Sequence, residues 1–239
     1  KGNREKAKDH LQKLLTAVPN HLETLLIMAQ INFEDGQFQQ ATQMITIFQN
    51  NLEGYLPAIK LSAAIKLKQN KPKEVIFDLE PYLADNGNDI QLLSLLGSAY
   101  LATGDNGKGT AYLSKAAELA PDESYIQTQL ALGQLQSGEV DLAIAGLESV
   151  AKLNPDLLQA ELTLILIHIR NGDLDTALNL INDAIEKDPK NPIFHNLRGA
   201  VYLAKEDIPT AQKHFGAALK IDPNFTTALN NLAQIEISQ

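Results

Sequence analysis

Five histidines are the first candidates for chemistry in this chain: His10, His21, His168, His195 and His214. An imidazole serves as a general base or a metal ligand. A helical zinc site needs two of them four residues apart, as in His-Glu-x-x-His, and no pair here has that spacing. The run Gly104-Asp105-Asn106-Gly107-Lys108-Gly109-Thr110 imitates a phosphate-cradling loop. Such a loop needs a glycine, four residues, then Gly-Lys-Ser/Thr after a strand. Here Ala102 holds the first glycine's place and Gly109 follows the lysine, so the segment reads as a turn between helices. Asp173 and Asp175 hint at a calcium loop but lack its twelve-residue ligand pattern. Glu186 and Asp188 merely flank Lys187, and no Gly-x-Ser-x-Gly nucleophile elbow occurs. The expectation is a non-enzyme with no catalytic residue, no metal ligand and no cofactor.

Composition narrows the classes further. The 239 residues include no Cys and no Trp, so disulfides, thiol nucleophiles and thiolate metal sites are excluded. A net charge of -9 argues against nucleic acid, whose phosphates demand a basic footprint. No apolar run approaches the length of a membrane span. The opening residues Lys1-Gly2-Asn3-Arg4-Glu5-Lys6 are not a signal peptide.

The elements that would position any site follow from an internal period. Steps of 34 residues connect Pro121, Pro155, Pro189 and Pro223, and three steps back lies Pro19. The same step joins Gly2, Gly36, Gly104, Gly138 and Gly172, and also Ala7, Ala41, Ala143, Ala177 and Ala211. A third column holds the large apolar residues Leu11, Ile45, Leu79, Leu113, Leu147, Ile181 and Phe215. Glycine suits a tight turn with positive φ, a conformation that costs a residue with a Cβ about 1–2 kcal/mol. Alanine permits close helix approach, and proline stops each second helix.

This pattern resembles the tetratricopeptide repeat, a 34-residue helix–turn–helix unit. Leu93, Leu96-Gly97, Tyr100, Gly104, Leu113, Ala116 and Pro121 match its consensus, as do Gly199, Tyr202, Ala211, Phe215, Ala218 and Pro223. The resemblance implies an all-α fold, a right-handed superhelical solenoid of antiparallel helix pairs with about fourteen helices. One solenoid would fill residues 1–239. A half repeat at 1–21 is followed by full repeats at 22–55, 56–89, 90–123, 124–157, 158–191 and 192–225, then a half repeat at 226–239. His168 then takes the repeat's Tyr position and His195 its bulky fourth position, both packing roles.

Departures are local. The turn glycine becomes Asn70 and Glu206, the closing proline becomes Glu53 and Gly87, and the close-approach alanine becomes Val75 and Gly109. Pro81 falls inside the second helix of the 56–89 repeat and must distort it, since an interior proline costs around 3 kcal/mol. Lys60, Lys66, Lys68, Lys71 and Lys73 are balanced by Glu74, Asp78, Glu80, Asp85 and Asp89, a solvated face.

In this family the first helix of each repeat lines a concave groove through positions 2, 5, 9, 12 and 13, and the resemblance implies a protein or peptide partner there. The candidate groove residues are Phe33, Leu67, Leu101, Tyr125, Thr128, Leu132, Leu135, Leu162, Leu166, Ile169, Arg170, Asn196 and Leu203. Tyr125, Leu132, Leu135, Leu162, Leu166 and Ile169 are expected to form a continuous apolar strip. Lys60 at position 5 is followed by Ala64 at position 9, so the two-carboxylate clamp of co-chaperone repeats is incomplete and chaperone-tail binding is disfavoured.

The runs from Leu119 to Leu132 and from Asn191 to Lys205 resemble repeats of a bacterial lipoprotein family. That family accompanies the exosortase system, which sorts proteins carrying a Pro-Glu-Pro signal alongside exopolysaccharide production. This resemblance covers residues 90–239 and implies a periplasmic or membrane-anchored cell-envelope protein. The alternatives are a cytosolic (cytoplasmic) adaptor, or the repeat region of a longer protein with an enzyme domain elsewhere. The half repeats imply a fragment. Leu11, Leu14 and Leu15 at one end, and Leu229, Leu232, Ile235 and Ile237 at the other, are expected to lie bare and to make a head-to-tail self-contact.

Overall fold

Six backbone turns carry the 34-residue period into three dimensions. Gly36, Gly104, Gly138 and Gly172 have φ of 73°, 87°, 83° and 82°, and Asn70 and Glu206 join them at 59° and 62°. The left-handed conformation thus persists where the glycine has been replaced. Each of these turns separates a first helix from a second. The computed structural model describes residues 2–154 and 158–238.

Among the described residues the chain is all-α, with fourteen helices and no strand. They are α1 (Gly2–Ala17), α2 (Leu22–Glu34), α3 (Phe38–Asn51), α4 (Leu56–Lys68), α5 (Pro72–Leu79), α6 (Ile90–Thr103) and α7 (Asn106–Leu119). These are followed by α8 (Ser124–Gln136), α9 (Val140–Leu153), α10 (Leu158–Asn171), α11 (Leu174–Lys187), α12 (Pro192–Ala204), α13 (Ile208–Ile221) and α14 (Thr226–Ser238). Pro19, Pro121, Pro189 and Pro223 each stand just past the end of a second-type helix. Pro155 lies outside the described residues.

Pro81 acts as its chemistry requires. Helix α5 has 8 residues, ends at Leu79 and passes into a 3₁₀ turn at Glu80–Tyr82. The other second helices from α3 onward have 14 residues. Some helix starts carry side-chain caps. Asp89 Oδ1 accepts from the Leu92 amide at 2.8 Å, and Asp207 Oδ1 from the Thr210 amide at 3.1 Å. Successive repeats are also stitched end to end. Arg4 Nη2 donates to the Ile31 carbonyl at 3.2 Å, and Asn106 Nδ2 donates to the Gln136 carbonyl at 3.0 Å. Arg4 adds a second donor to a carbonyl that already accepts from the Asp35 amide, and Asn106 supplies one to the last carbonyl of α8.

The chain forms two compact units, Lys1–Glu139 and Val140–Gln239. The 124–157 repeat gives α8 to the first unit and α9 to the second. In the first unit, Ala41, Ile45 and Phe48 of α3 pack between Leu25 and Met28 of α2 and Ala58, Leu61 and Ile65 of α4. Val75 and Leu79 of α5 do the same between Ile59 and Leu92. In the second unit, Ala177, Ile181 and Ala184 of α11 pack against Ile165 of α10 and Phe194, Leu197 and Val201 of α12. Each fully buried Leu, Ile or Phe contributes about 1.5–3 kcal/mol. From Ile45 to Phe215 the large apolar column is fully buried, while Leu11 is only half-buried. The alanines Ala41, Ala143, Ala177 and Ala211 are buried as well, whereas Ala7 of α1 is exposed.

The outermost helices are less bare than the sequence implies. Leu15 and Ile235 are buried, and Leu11 and Leu232 are half-buried. Only Leu14, Leu229 and Ile237 stand exposed. An amphipathic helix needs one neighbour to cover one face, and α2 and α13 supply it.

Candidate functional site

A first helix packs one face on its own second helix and leaves another free. In the first unit the free faces of α2 and α4 enclose an open cleft of about 470 Å³. Leu26, Ile27, Ile31 and Phe33 of α2 and Leu61 and Ala64 of α4 make its apolar walls, and Gln30, whose amide donates to Glu34 at 2.8 Å, and Gln91 also line it. Leu26, Gln30 and Phe33 sit at repeat positions 5, 9 and 12, and Lys60 and Ala64 at 5 and 9.

The one cation in this cleft is already neutralised. Lys60 Nζ lies 2.7 Å from Asp89 Oδ2. Asp89 also caps α6 through the Leu92 amide. Burial pushes the Asp89 carboxyl up, but Lys60 and the Leu92 and Gln91 amides outweigh it and hold the group below its ordinary value. Lys60 therefore has no free charge for an incoming carboxylate. Lys66 is likewise paired, to Asp78 at 2.6 Å.

The position-12 residues hold the repeats together. Leu101 is buried and fills the space above two glycines. A Cβ on Gly109 would meet its Cδ2 at 2.5 Å, and one on Gly133 would meet it at 3.1 Å. Phe33 packs on the α2–α3–α4 core, its ring 6.0 Å from Phe38. Leu67, Ile169 and Leu203 are half-buried against the core clusters of their own repeats, and Leu135 is half-buried.

Other positions differ in how far they stand clear. Tyr125 is 57% exposed in the first unit and Leu166 is 53% exposed in the second. Arg170 is exposed, and Leu132 and Leu162 are half-buried, Leu162 against the α10–α12 core. Thr128 is buried and its hydroxyl donates to the Ser124 carbonyl at 2.8 Å. Asn196 is buried too, its Oδ1 accepting from Asn231 Nδ2 at 3.0 Å. Of the expected strip, Tyr125, Leu132 and Leu135 belong to the first unit and Leu162, Leu166 and Ile169 to the second. Gln91 lines the cleft from register position 2, and Ile27, Ile31 and Leu61 line it without having been marked by the groove register. Their signal was apolarity at positions adjoining 5 and 9.

The motif-like segments resolve into structure. Gly104 is the left-handed end of α6, and Gly107, Lys108 and Gly109 lie inside α7. Lys108 Nζ sits 4.8 Å above the Tyr100 ring. Among the described residues no three His, Asp or Glu side chains are placed to hold a metal ion. No described helix is long and apolar enough to cross a membrane.

Comparison with known proteins agrees with this geometry. Residues 90–123 and 134–201 each match the family described as Tetratricopeptide repeat. Over 121 residues the chain is 31% identical to the antiviral innate immune response effector IFIT1 of Homo sapiens, covering 51% of this chain and 24% of that protein. The chain thus matches about a quarter of that relative's length. A tetratricopeptide repeat protein from Parabacteroides merdae superposes with a TM-score of 0.73 at 15% identity, over 96% of this chain and 91% of the other. YrrB, described as a TPR protein with an unusual peptide-binding site, superposes at 0.58 and 19% identity, over 79% of this chain and 97% of its own. This chain carries tetratricopeptide repeats in an all-α repeat fold.

Proposed function

We propose that the chain is a non-enzymatic protein-binding scaffold whose first helices hold a peptide or protein segment. The α2–α4 cleft carries this reading. It has apolar walls, two lining glutamines and a cation already paired with Asp89. That chemistry suits an apolar side chain on a segment whose backbone is met by glutamine amides, and it disfavours a terminal carboxylate. The description of YrrB as peptide-binding supports the same use of the fold. Tyr125 and Leu166, exposed on first helices of the two units, are further points at which a partner could be held.

Selection from a displayed library of random peptides tests the proposal. Bound sequences are expected to share an apolar anchor. Ile27→Asp sets a carboxylate among the apolar walls and is expected to weaken their binding by about tenfold or more. Ile27 is 40% exposed, so the substitution leaves the core intact. Peptides that bind the variant as well as the wild type would sink the cleft as the site.

The placement in a bacterial cell-envelope export or exopolysaccharide-associated complex rests on the resemblance of the 119–132 and 191–205 runs. A lipid-attachment cysteine at the start of the parent reading frame is its expected signature, and a reading frame without one removes it in favour of a cytosolic adaptor.

A further inference from the structure

Repeats 90–123 and 192–225 share one piece of architecture and differ in its chemistry. In the first, Tyr100 of α6 stacks on Tyr112 of α7 with ring centroids 5.7 Å apart and planes 24° apart. In the second, Tyr202 of α12 stacks on His214 of α13 at 5.3 Å and 14°. On the same side of the first helix, one and two turns earlier, the 90–123 repeat buries Leu96 and Leu93. The 192–225 repeat has Arg198 and His195 at those positions. Two leucines and a tyrosine of an apolar core have become an arginine and two histidines.

No carboxylate compensates for this change. Among the described residues, none of His195, Arg198, Lys213 and His214 forms an ion pair with Asp or Glu. Arg198 Nε is out of contact with solvent and has no hydrogen-bond partner. An arginine left so in a half-buried position is costly. His214 is held below its ordinary value first by burial, then by the positive charges of Arg198, Lys213 and His195. Helix α14, which packs on α13, brings one charged side chain, the exposed Glu236. The cluster reaches the surface at the exposed Lys213 and at the half-buried His195, whose Nε2 lies 3.1 Å from the Pro189 carbonyl.

We propose that His195, Arg198 and His214, with Lys213 at the mouth, form a binding site for a phosphate group. Donors from two helices, a guanidinium unpaired with any carboxylate and an imidazole able to take up a proton suit a dianion with three or more acceptor oxygens. A carboxylate has two oxygens in one plane and engages such a set poorly. This site is separate from the α2–α4 cleft, and its failure would leave the scaffold reading untouched.

Calorimetric titration of the 239-residue chain with inorganic phosphate, sulfate and acetate at constant ionic strength tests the site. Phosphate and sulfate are expected to bind saturably, and acetate not to. Arg198→Met is expected to weaken both by about tenfold or more, by removing a charge-assisted hydrogen bond. Met28 occupies the equivalent position of the 22–55 repeat, so the variant is expected to stay folded by circular dichroism. Sulfate keeps its charge across the working range, and the wild type is expected to bind it roughly fivefold more tightly near pH 5.5 than near pH 8. His214→Phe keeps the stack on Tyr202 and should reduce that pH dependence. O-phosphoserine run beside inorganic phosphate identifies the source, and either order of affinity supports the site. Absence of saturable phosphate and sulfate binding to the wild type, equal binding of acetate, or unchanged binding in folded Arg198→Met overturns it.

Discussion

The phenol of Tyr100 in α6 donates a hydrogen bond to the carboxylate of Glu80, across the break that Pro81 makes after α5. The bond ties the shortened second helix of one repeat to the first helix of the next. It pushes the Tyr100 phenol up to about 12, with burial adding to the effect. The folded state therefore keeps a proton that the unfolded chain loses near pH 10. This contribution is fully present below pH 10 and fades as pH rises towards 12. Tyr100→Phe is expected to lose about 1.5–3 kcal/mol at neutral pH, the range for a bond to a charged group. Denaturant midpoints at neutral and alkaline pH check both parts, and a variant with the wild-type alkaline slope would disconnect it from Tyr100.

His214 gives the opposite slope. Its ring is held below the ordinary 6.5, so the unfolded chain binds the proton more tightly than the folded one. Stability from the neutral ring is present above pH 6.5 and is lost as pH falls below that value. His214→Phe keeps the apolar ring beside Tyr202 and is expected to flatten the acid limb of a melting-temperature profile.

Restoring the family's alanine at Gly109 is expected to harm the fold. The new Cβ would lie 2.5 Å from Leu101 Cδ2 and 3.0 Å from the Leu101 backbone nitrogen. Helix propensity gains about 1 kcal/mol from Gly→Ala, but overpacking costs about 1–3 kcal/mol. The backbone atom cannot yield, so the net change is expected to be destabilising, read as a lower melting temperature. Gly109→Ala as stable as the wild type would mean that α6 and α7 slide apart freely.

Glu206 offers a gain. Its φ of 62° places a side chain where a glycine belongs. Relief of the left-handed penalty, about 1–2 kcal/mol, is partly offset by glycine's greater unfolded-state entropy, about 0.5–1 kcal/mol. Glu206→Gly is therefore expected to raise stability by roughly 0.5–1 kcal/mol in chemical denaturation. Asn70→Gly should gain less, because asparagine tolerates φ of 59° better.

Much of the architecture was legible because it is enforced by the backbone. Glycine at positive φ, proline past a helix end and alanine at a close approach each have few substitutes, so a 34-residue step finds them. Pro81 announced its own break for the same reason. The site was less legible. Spacing says which face of a helix a residue occupies, but not what stands opposite it. Leu101 shares a helix face with groove positions yet is buried against Gly109 and Gly133. Asn196 shares it too and is spent on Asn231. Ile27 and Ile31, one place beyond the groove register, turn out to line the cleft. Lys60 could be numbered as a clamp residue, but Asp89, 29 residues away in sequence, takes its charge in the fold.

Within each unit every helix packs on helices one or two places away in the chain. Pairings of such short sequence separation close small loops, so little chain entropy is lost before packing begins to stabilise the structure. Any adjacent helix pair can serve as the nucleus, and folding is expected to spread outward on the fast timescale of locally connected folds instead of waiting for distant segments to meet. The pair built on the truncated α5 has the least to offer as a starting point, so the folding front should reach it from its neighbours.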